Sequence, residues 1–196
     1  MSQLRPSLCM GSVAELTPDL IERHMPEVEG VTFDLDNTLL GQNEYAFSAE
    51  NVDALITLNA IGYRLGFLSN AQSRGRTNRV HIMAASLSGV IEEITVVTPS
   101  MVEGKKKPFR PIFDKMSEEI GIESEKLCHV GDQLLKDVLG ANRAGYGGSV
   151  LVAPYGRGDD LLVGLLQRPL EAALRPFLGL PFLTRDFSGH YQRSQN

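Results

Sequence analysis

The chain has no tryptophan, only two cysteines and no long apolar run. Each scarcity excludes a class of protein. Cys9 and Cys128 are too few for a disulfide framework and too dispersed for a cysteine-based zinc site, which points to a reducing compartment. No apolar stretch approaches the roughly 18–20 residues that cross a bilayer. The opening Met1-Ser2-Gln3-Leu4-Arg5-Pro6 lacks the apolar centre of a secretion signal. These absences predict a cytoplasmic protein without a transmembrane segment, and they are compatible with peripheral contact at a membrane surface. Positive charge is also scarce: 19 Lys and Arg face 24 Asp and Glu, a formal net charge of −5, which argues against a general nucleic-acid partner. His24, His81, His129 and His190 show no ligand spacing, and His129 sits inside an apolar run, where a structural role is expected.

What is present suits one globular α/β domain. Of 196 residues, 42% are hydrophobic and 22% charged. Thr17-Pro18-Asp19 carries a cap, a helix-opening proline and an acidic first turn, so a helix is predicted to about His24. Strands are predicted over 31–35, 63–68, 94–97, 127–130 and 149–152. Helices are predicted over 48–61, 74–87, 111–120 and 134–142, each from apolar spacing and a glycine stop or polar cap. Strands alternating with helices imply a five-stranded parallel sheet with helices on both faces. We expect a single domain over 1–196, with a helical lead-in over about 1–30 and a frayed polar tail over about 180–196. The Leu-rich stretch 159–178, interrupted by Pro169 and Pro176, is expected to form two short helices, and its leucines to pack onto the core, with membrane contact as the alternative.

Asp34-Leu35-Asp36-Asn37-Thr38 follows the apolar run Val31-Thr32-Phe33. Alone, this stretch reads equally as a turn after a buried strand or as a catalytic carboxylate pair. Ser69-Asn70 follows the second predicted strand. Lys107-Pro108 precedes the helix at 111. Gly131-Asp132 follows the fourth strand, with Asp137 five residues beyond Asp132. In a parallel sheet these strand ends share one edge, where ligands bind. Several carboxylates, a hydroxyl and a lysine then meet at one place. Carboxylates at that density need a cation, and an oxygen-only site with room for water suits Mg²⁺. The lysine and the serine complement phosphate oxygens.

In this order, Asp34-x-Asp36-x-Thr38, Ser69-Asn70, Lys107-Pro108 and Gly131-Asp132-x4-Asp137 resemble the four motifs of the haloacid dehalogenase (HAD) superfamily. The stretch from Gly131 to Tyr146, with Leu4-x-Pro6, Ser12-Val13 and Leu16-Thr17-Pro18, is similar to the YqeG-type subclass IIIA phosphatases, which are related to phosphatidylglycerophosphate phosphatases. The resemblance covers roughly residues 4–155. It implies a three-layer HAD-like Rossmannoid fold and an aspartyl-phosphate mechanism. Asp34 would be the nucleophile and Asp36 the general acid and base. Asp34, the Asp36 carbonyl and Asp132 would hold Mg²⁺, with Asp137 supporting it directly or through water. Ser69, Asn70 and Lys107 would bind the phosphoryl group, Lys106 being the alternative lysine. Thr38 would be structural, and Asn142 and Arg143 are either subclass features or helix surface.

The intervals after Thr38 and Ser69 are too short for a cap domain, so a capless, open site is expected. That favours a large phosphorylated substrate: phosphatidylglycerophosphate first, with a sugar phosphate, nucleotide or phosphoprotein as alternatives. A non-catalytic phosphorylatable switch is a further class, disfavoured by Asp36, which such a switch does not need. Arg74, Arg76 and Arg79 are expected either on a solvated helix face or against a second phosphate or an anionic membrane. Nothing in the sequence fixes the oligomeric state.

Overall fold

A computed structural model of the chain, which describes residues 2–156 and 163–181, places strand β2 (Gly30–Phe33) at the centre of a parallel sheet. Its neighbours are β3 (Arg64–Leu68) and β5 (Leu127–Gly131). Beyond them lie β4 (Ile94–Val97), β6 (Gly148–Val152) and β1 (Leu8–Met10), giving the order β1-β6-β5-β2-β3-β4. Val31 stands level with Leu65 on one side and Cys128 on the other. The strand order reverses at β2, so the crevice beyond its C-terminal end is the position that open α/β sheets use for ligands.

Among the described residues six α-helices flank the sheet: α1 (Pro18–His24), α2 (Ala49–Ala60), α3 (Arg74–Ala85), α4 (Arg110–Ile120), α5 (Leu139–Ala144) and α6 (Arg168–Leu178). Side-chain alternation along each strand sorts them into two layers. Val31, Phe33, Leu65, Phe67 and Val130 pack with Ile21 of α1, Leu55 and Leu58 of α2, and Val80 and Met83 of α3. Leu68 and Leu127 face the other way, toward Ile112, Phe113, Met116 and Ile120 of α4 and Ala141 of α5. Those α4 positions repeat at helical spacing, and Gly121 ends the helix at φ 69°, a left-handed conformation that glycine adopts without strain. Leu174 and Leu178 of α6 pack with Leu134, Val138 and Leu151 at the β1–β6 side.

The sheet has six strands where five were expected. Leu8–Met10 pairs with β6 inside the stretch predicted as a helical lead-in. Three residues give no period to read, and their pairing is specified by β6. The first predicted strand, 31–35, stops at Phe33 because the chain then turns: Asn37 adopts φ 61° and the Leu39 and Leu40 N–H groups both donate to the Leu35 carbonyl. The predicted helix 134–142 is a π-helical turn, Leu134–Val138, running into α5. Over 159–178 the described part is a second π-helical turn, Val163–Gln167, followed by α6. Pro169 lies in the first turn of α6, where its missing N–H is not needed. Residues 157–162 and the predicted tail from 182 lie outside the described residues. No cap domain separates the motifs: α2 and β3 occupy the first interval, α3 and β4 the second. Among the described residues no helix is long and apolar enough to cross a membrane.

Candidate active site

The turn after β2 presents the first two carboxylates. Asp34 is buried, and its N–H continues the ladder by donating to the Val130 carbonyl at 2.8 Å. Asn37 closes the turn: its N–H donates to Leu40 O at 2.8 Å and its carbonyl accepts from Tyr155 N at 2.7 Å. Few residues other than glycine tolerate the positive φ found there, and asparagine is one of them. Thr38 donates its hydroxyl to Asp132 Oδ1 at 3.4 Å, joining the first motif to the fourth.

Ser69 and Asn70 follow the end of β3. The Ser69 hydroxyl accepts from Ala71 N at 3.3 Å and can still donate into the cleft it lines. Asn70 also lines the cleft, but its amide grips the main chain of Lys107: Oδ1 accepts from Lys107 N at 2.8 Å and Nδ2 donates to Lys107 O at 3.3 Å. Its place in the site is therefore to position Lys107, whose peptide to Pro108 is cis. Of the three consecutive lysines, Lys107 alone is buried. Its Nζ lies 2.8 Å from Asp34 Oδ1 and 2.7 Å from Asp137 Oδ1.

Asp132 and Asp137 come from the end of β5 and the π-helical turn. Asp34, Asp132 and Asp137 each offer an oxygen within 4.8 Å of the other two, and all three are buried. Asp137 Oδ2 accepts from Gln133 N at 2.9 Å, and Oδ1 lies 3.3 Å from His129 Nε2. A Cβ at Gly131 would collide with the Asp137 carboxylate, so this position must be glycine for the carboxylate to stand where it does.

Electrostatics divides the three carboxylates. Burial pushes Asp34 up to about 6 although Lys107 opposes the shift. Burial pushes Asp132 up to about 8 against the pull of an arginine, Arg168. Burial also works against the charge of Asp137, but Lys107 and then His129 hold it well below the usual carboxylate range. Burial lowers His129. The neutral ring then donates from Nε2 to the Asp137 carboxylate, which can only accept, and Nδ1 takes the Thr32 hydroxyl at 2.9 Å. Three buried carboxylates with two cationic partners, two of them raised above their ordinary range and one held below it, form a donor set that a small hard dication fits.

This arrangement predicts a pH dependence. Asp34 and Asp132 hold protons in the folded state up to about 6 and about 8, whereas their ordinary value is 3.8. The folded chain therefore binds more protons than the unfolded chain across that window, and these two groups withdraw stability as pH rises through it. Metal-free protein should melt at a lower temperature at pH 8 than at pH 5 so far as this site decides. Mg²⁺ added at pH 8 should stabilise the fold by about 2.7 kcal/mol at a hundredfold excess over Kd and so raise the melting temperature. The increment should shrink toward pH 5 as protons compete. Thermal denaturation with Mg²⁺ and with EDTA at both pH values checks this, and an increment independent of pH would count against the cluster.

Asp36 has a different environment. Arg79 Nη1 donates to its Oδ1 at 2.6 Å and Arg76 Nη2 approaches Oδ2 at 3.5 Å. Arg79 is itself fixed by the carbonyls of Glu44, at 2.8 Å, and Gly41, at 3.3 Å. Of the readings for the 74–79 arginines, the solvated face holds for Arg74; Arg79 is buried and Arg76 lines the cleft. The sequence carried a signal for Arg79: it adjoins Val80 and precedes Met83 by four, the buried stripe of α3. Arg168 had no such signal. It reaches from α6 to Asp132, donating from Nη1 to the carbonyl at 2.7 Å and pairing through Nη2 with the carboxylate. His129, expected to be structural, is buried and also touches Asp137. Asn142 donates to the Gln3 and Arg5 carbonyls, and Arg143 reaches the Gln3 side chain, so both tie the N-terminus down. His24 and His81 lie on exposed helix positions, and His190 lies outside the described residues.

The cleft over these groups has about 260 Å³ of room, with Gln42, Arg76, Lys106, Lys136 and Val163 around it. A family model described as HAD-hydrolase-like matches residues 105–159, the stretch that supplies Lys107, Asp132 and Asp137. Over that stretch the chain is similar to the HAD-like hydrolases. It is an enzyme of the phosphatase class. The chain is 26% identical over 173 residues to the probable phosphatase YqeG of Bacillus subtilis, across 87% of this chain and 91% of that protein. It is 28% identical over 94 residues to a glyceraldehyde 3-phosphate phosphatase of Methanopyrus kandleri, which spans 48% of this chain and 38% of that protein. A HAD-superfamily hydrolase from Ehrlichia chaffeensis shares the fold, with a TM-score of 0.51 at 14% identity over 85% of this chain and 94% of that one.

Proposed function

We propose that this hydrolase is a Mg²⁺-dependent phosphomonoesterase that works through a phosphorylated Asp34, with phosphatidylglycerophosphate as the favoured substrate. The observation that carries the reading is the meeting of Asp34, Asp132, Asp137 and Lys107 within one buried cluster, with Asp36 two residues from Asp34 at the mouth. Asp34, Asp132 and the Asp36 carbonyl would hold the cation, with Asp137 behind them. When bound, the cation would neutralise the carboxylates and polarise the phosphoryl oxygens.

The remaining chemistry belongs to the chain. Asp34 Oδ attacks phosphorus, forming a P–O bond to the protein as the bond to the leaving oxygen breaks. Asp36 gives that oxygen its proton. It then takes one from a water that attacks the same phosphorus, and the bond to Asp34 breaks to release phosphate. Lys107 and Ser69 hold the phosphoryl oxygens throughout, and Asn70 keeps Lys107 in place. Arg79 fixes the rotamer of Asp36, so the carboxyl swings little between its two tasks.

A cleft of about 260 Å³ holds a phosphoryl ester and little more. The rest of the substrate must lie at the rim, beside Arg76, Lys106 and Lys136, which suits a lipid headgroup with a second acidic phosphate. A small sugar phosphate is the second reading, favoured by the same tight volume and by the likeness to the M. kandleri enzyme. The test is Mg²⁺-dependent phosphate release from phosphatidylglycerophosphate in detergent micelles, sugar phosphates, nucleotides and a phosphopeptide. The lipid should show the highest kcat/KM. If it ranks among the poorest while a sugar phosphate turns over well, the substrate changes and the phosphatase remains. If none of the panel releases phosphate with Mg²⁺, the whole reading fails.

A further inference from the structure

The helical segment 163–178 is inverted with respect to water. Its charged residues point into the protein: Glu171 Oε1 accepts from Leu135 N at 3.0 Å, Arg175 donates to Pro181 O at 2.8 Å, and Arg168 holds Asp132. Its exposed positions are Gly164, Leu165, Leu166, Pro169, Leu170, Ala172, Ala173, Pro176 and Phe177, none of which carries a charge or a side-chain hydrogen-bonding group. Leu165, Leu166, Leu170 and Phe177 are 65%, 66%, 52% and 79% exposed. Leu166, Leu170, Ala173 and Phe177 follow one another at four-, three- and four-residue steps, a single stripe of the helix. A helix left to water shows the opposite pattern. Of the two readings of this stretch, core packing holds for Leu174 and Leu178 and not for the exposed side.

Place and charge identify what covers the stripe. The segment starts at the mouth of the cleft, where Val163 lines the wall and Gln167 bonds Gln133 at 2.8 Å. Around that mouth stand Lys106 and Lys136, with Arg76 beside Asp36, although the chain as a whole is acidic. An apolar stripe beside a basic rim matches an anionic bilayer, whose surface potential attracts cations while its acyl boundary takes up leucine and phenylalanine.

We propose that Leu165, Leu166, Leu170 and Phe177 seat the enzyme on an anionic phospholipid surface, with the basic rim of the cleft turned to the headgroups. The inference rests on the proposed phosphatase function only for what the docked site then does. Docking needs both signals, since a single small apolar stripe gives marginal, reversible binding.

The experiment uses the full chain and vesicles of phosphatidylcholine with or without phosphatidylserine. The wild type should co-sediment with the anionic vesicles and weakly with the neutral ones. Leu170→Glu/Phe177→Glu should weaken binding by at least about tenfold, as expected for charge set into the apolar boundary. Lys106→Glu should weaken it on anionic vesicles alone. Turnover of the soluble substrate p-nitrophenyl phosphate should be unchanged in Leu170→Glu/Phe177→Glu, which separates loss of docking from loss of the site and shows that the variant is folded. Wild-type protein that ignores anionic vesicles overturns the proposal, as does binding that survives the double substitution. A wild-type dimer that the substitution splits, without vesicle binding, would assign the stripe to a second copy and also overturn it.

Discussion

Asp34→Asn should abolish Mg²⁺-dependent phosphate release and leave the fold no less stable than before. The first half follows from the chemistry: an amide does not displace an oxygen from phosphorus, and removing a nucleophile reduces turnover by factors on the order of 10⁴–10⁶. The second half follows from the electrostatics. Asp34 is raised to about 6, chiefly by burial, so at pH 7 its ionised form is held in the folded chain at a disadvantage. Asparagine fills the same volume without that charge, and Lys107 keeps its 2.7 Å partner in Asp137. Metal-free variant and parent should be melted side by side at pH 7.5, with phosphate release measured in parallel. Turnover above about a hundredth of the parent would remove Asp34 from the role of nucleophile. A variant that melts well below the parent would show that Asp34 is a structural ion-pair residue in the first place.

Lys107→Met should do the reverse, breaking activity and fold together. Lys107 is 3% exposed, and its ammonium lies between two carboxylates. Burial pulls Lys107 toward neutrality, but Asp137 and Asp34 outweigh it and raise the group above its ordinary value. Its stabilising effect is therefore complete at neutral pH and is lost only as the solution becomes more alkaline than 10.5. Methionine keeps the apolar stem and deletes the charge, leaving Asp34 and Asp137 facing each other without their common cation. Breaking a buried pair from one side costs about 3–5 kcal/mol. The loss should be largest without metal and partly recovered by Mg²⁺, since a bound cation would supply part of the missing charge. Denaturant unfolding with and without Mg²⁺ gives the comparison. A loss below about 1 kcal/mol would mean that the two carboxylates do not depend on this lysine.

These two residues were legible in the sequence for a physical reason. Asp34 and Lys107 each sit where the chain leaves a strand or enters a helix, and turns of that kind show in the order of residue types. The same holds for Ser69, Asp132 and Asp137. The alternation of β and α elements was readable because β2, β3 and β5 are buried on both faces and so read as continuous apolar runs. What the sequence concealed lies in long-range pairing. Leu8–Met10 is a strand only because β6 offers an edge to it. Arg168 belongs to the site only because α6 crosses back to Asp132, 36 residues earlier in the chain. Asn70 resembled a phosphate ligand by its place after Ser69. Its engagement with Lys107 depends on a loop 37 residues further on, which no local pattern encodes. The sequence left the two readings of α6 open because a run of leucines looks the same whether it faces a core or stays exposed.

The position of β2 between β3 and β5 also has a bearing on how the chain emerges from the ribosome. β3 follows β2 by some thirty residues, whereas β5 is made only after two further helices. Until Leu127 to Gly131 has left the exit tunnel, one whole flank of β2 has unpaired N–H and C=O groups, and the nascent sheet ends in an apolar edge open to other chains. During that interval Asp34 lacks the Val130 carbonyl that fixes its backbone, and Asp132 and Asp137 have yet to arrive. The like charges are thus kept apart in time until Lys107 is already present to receive them, and a polypeptide halted before residue 127 would be sticky as well as inert.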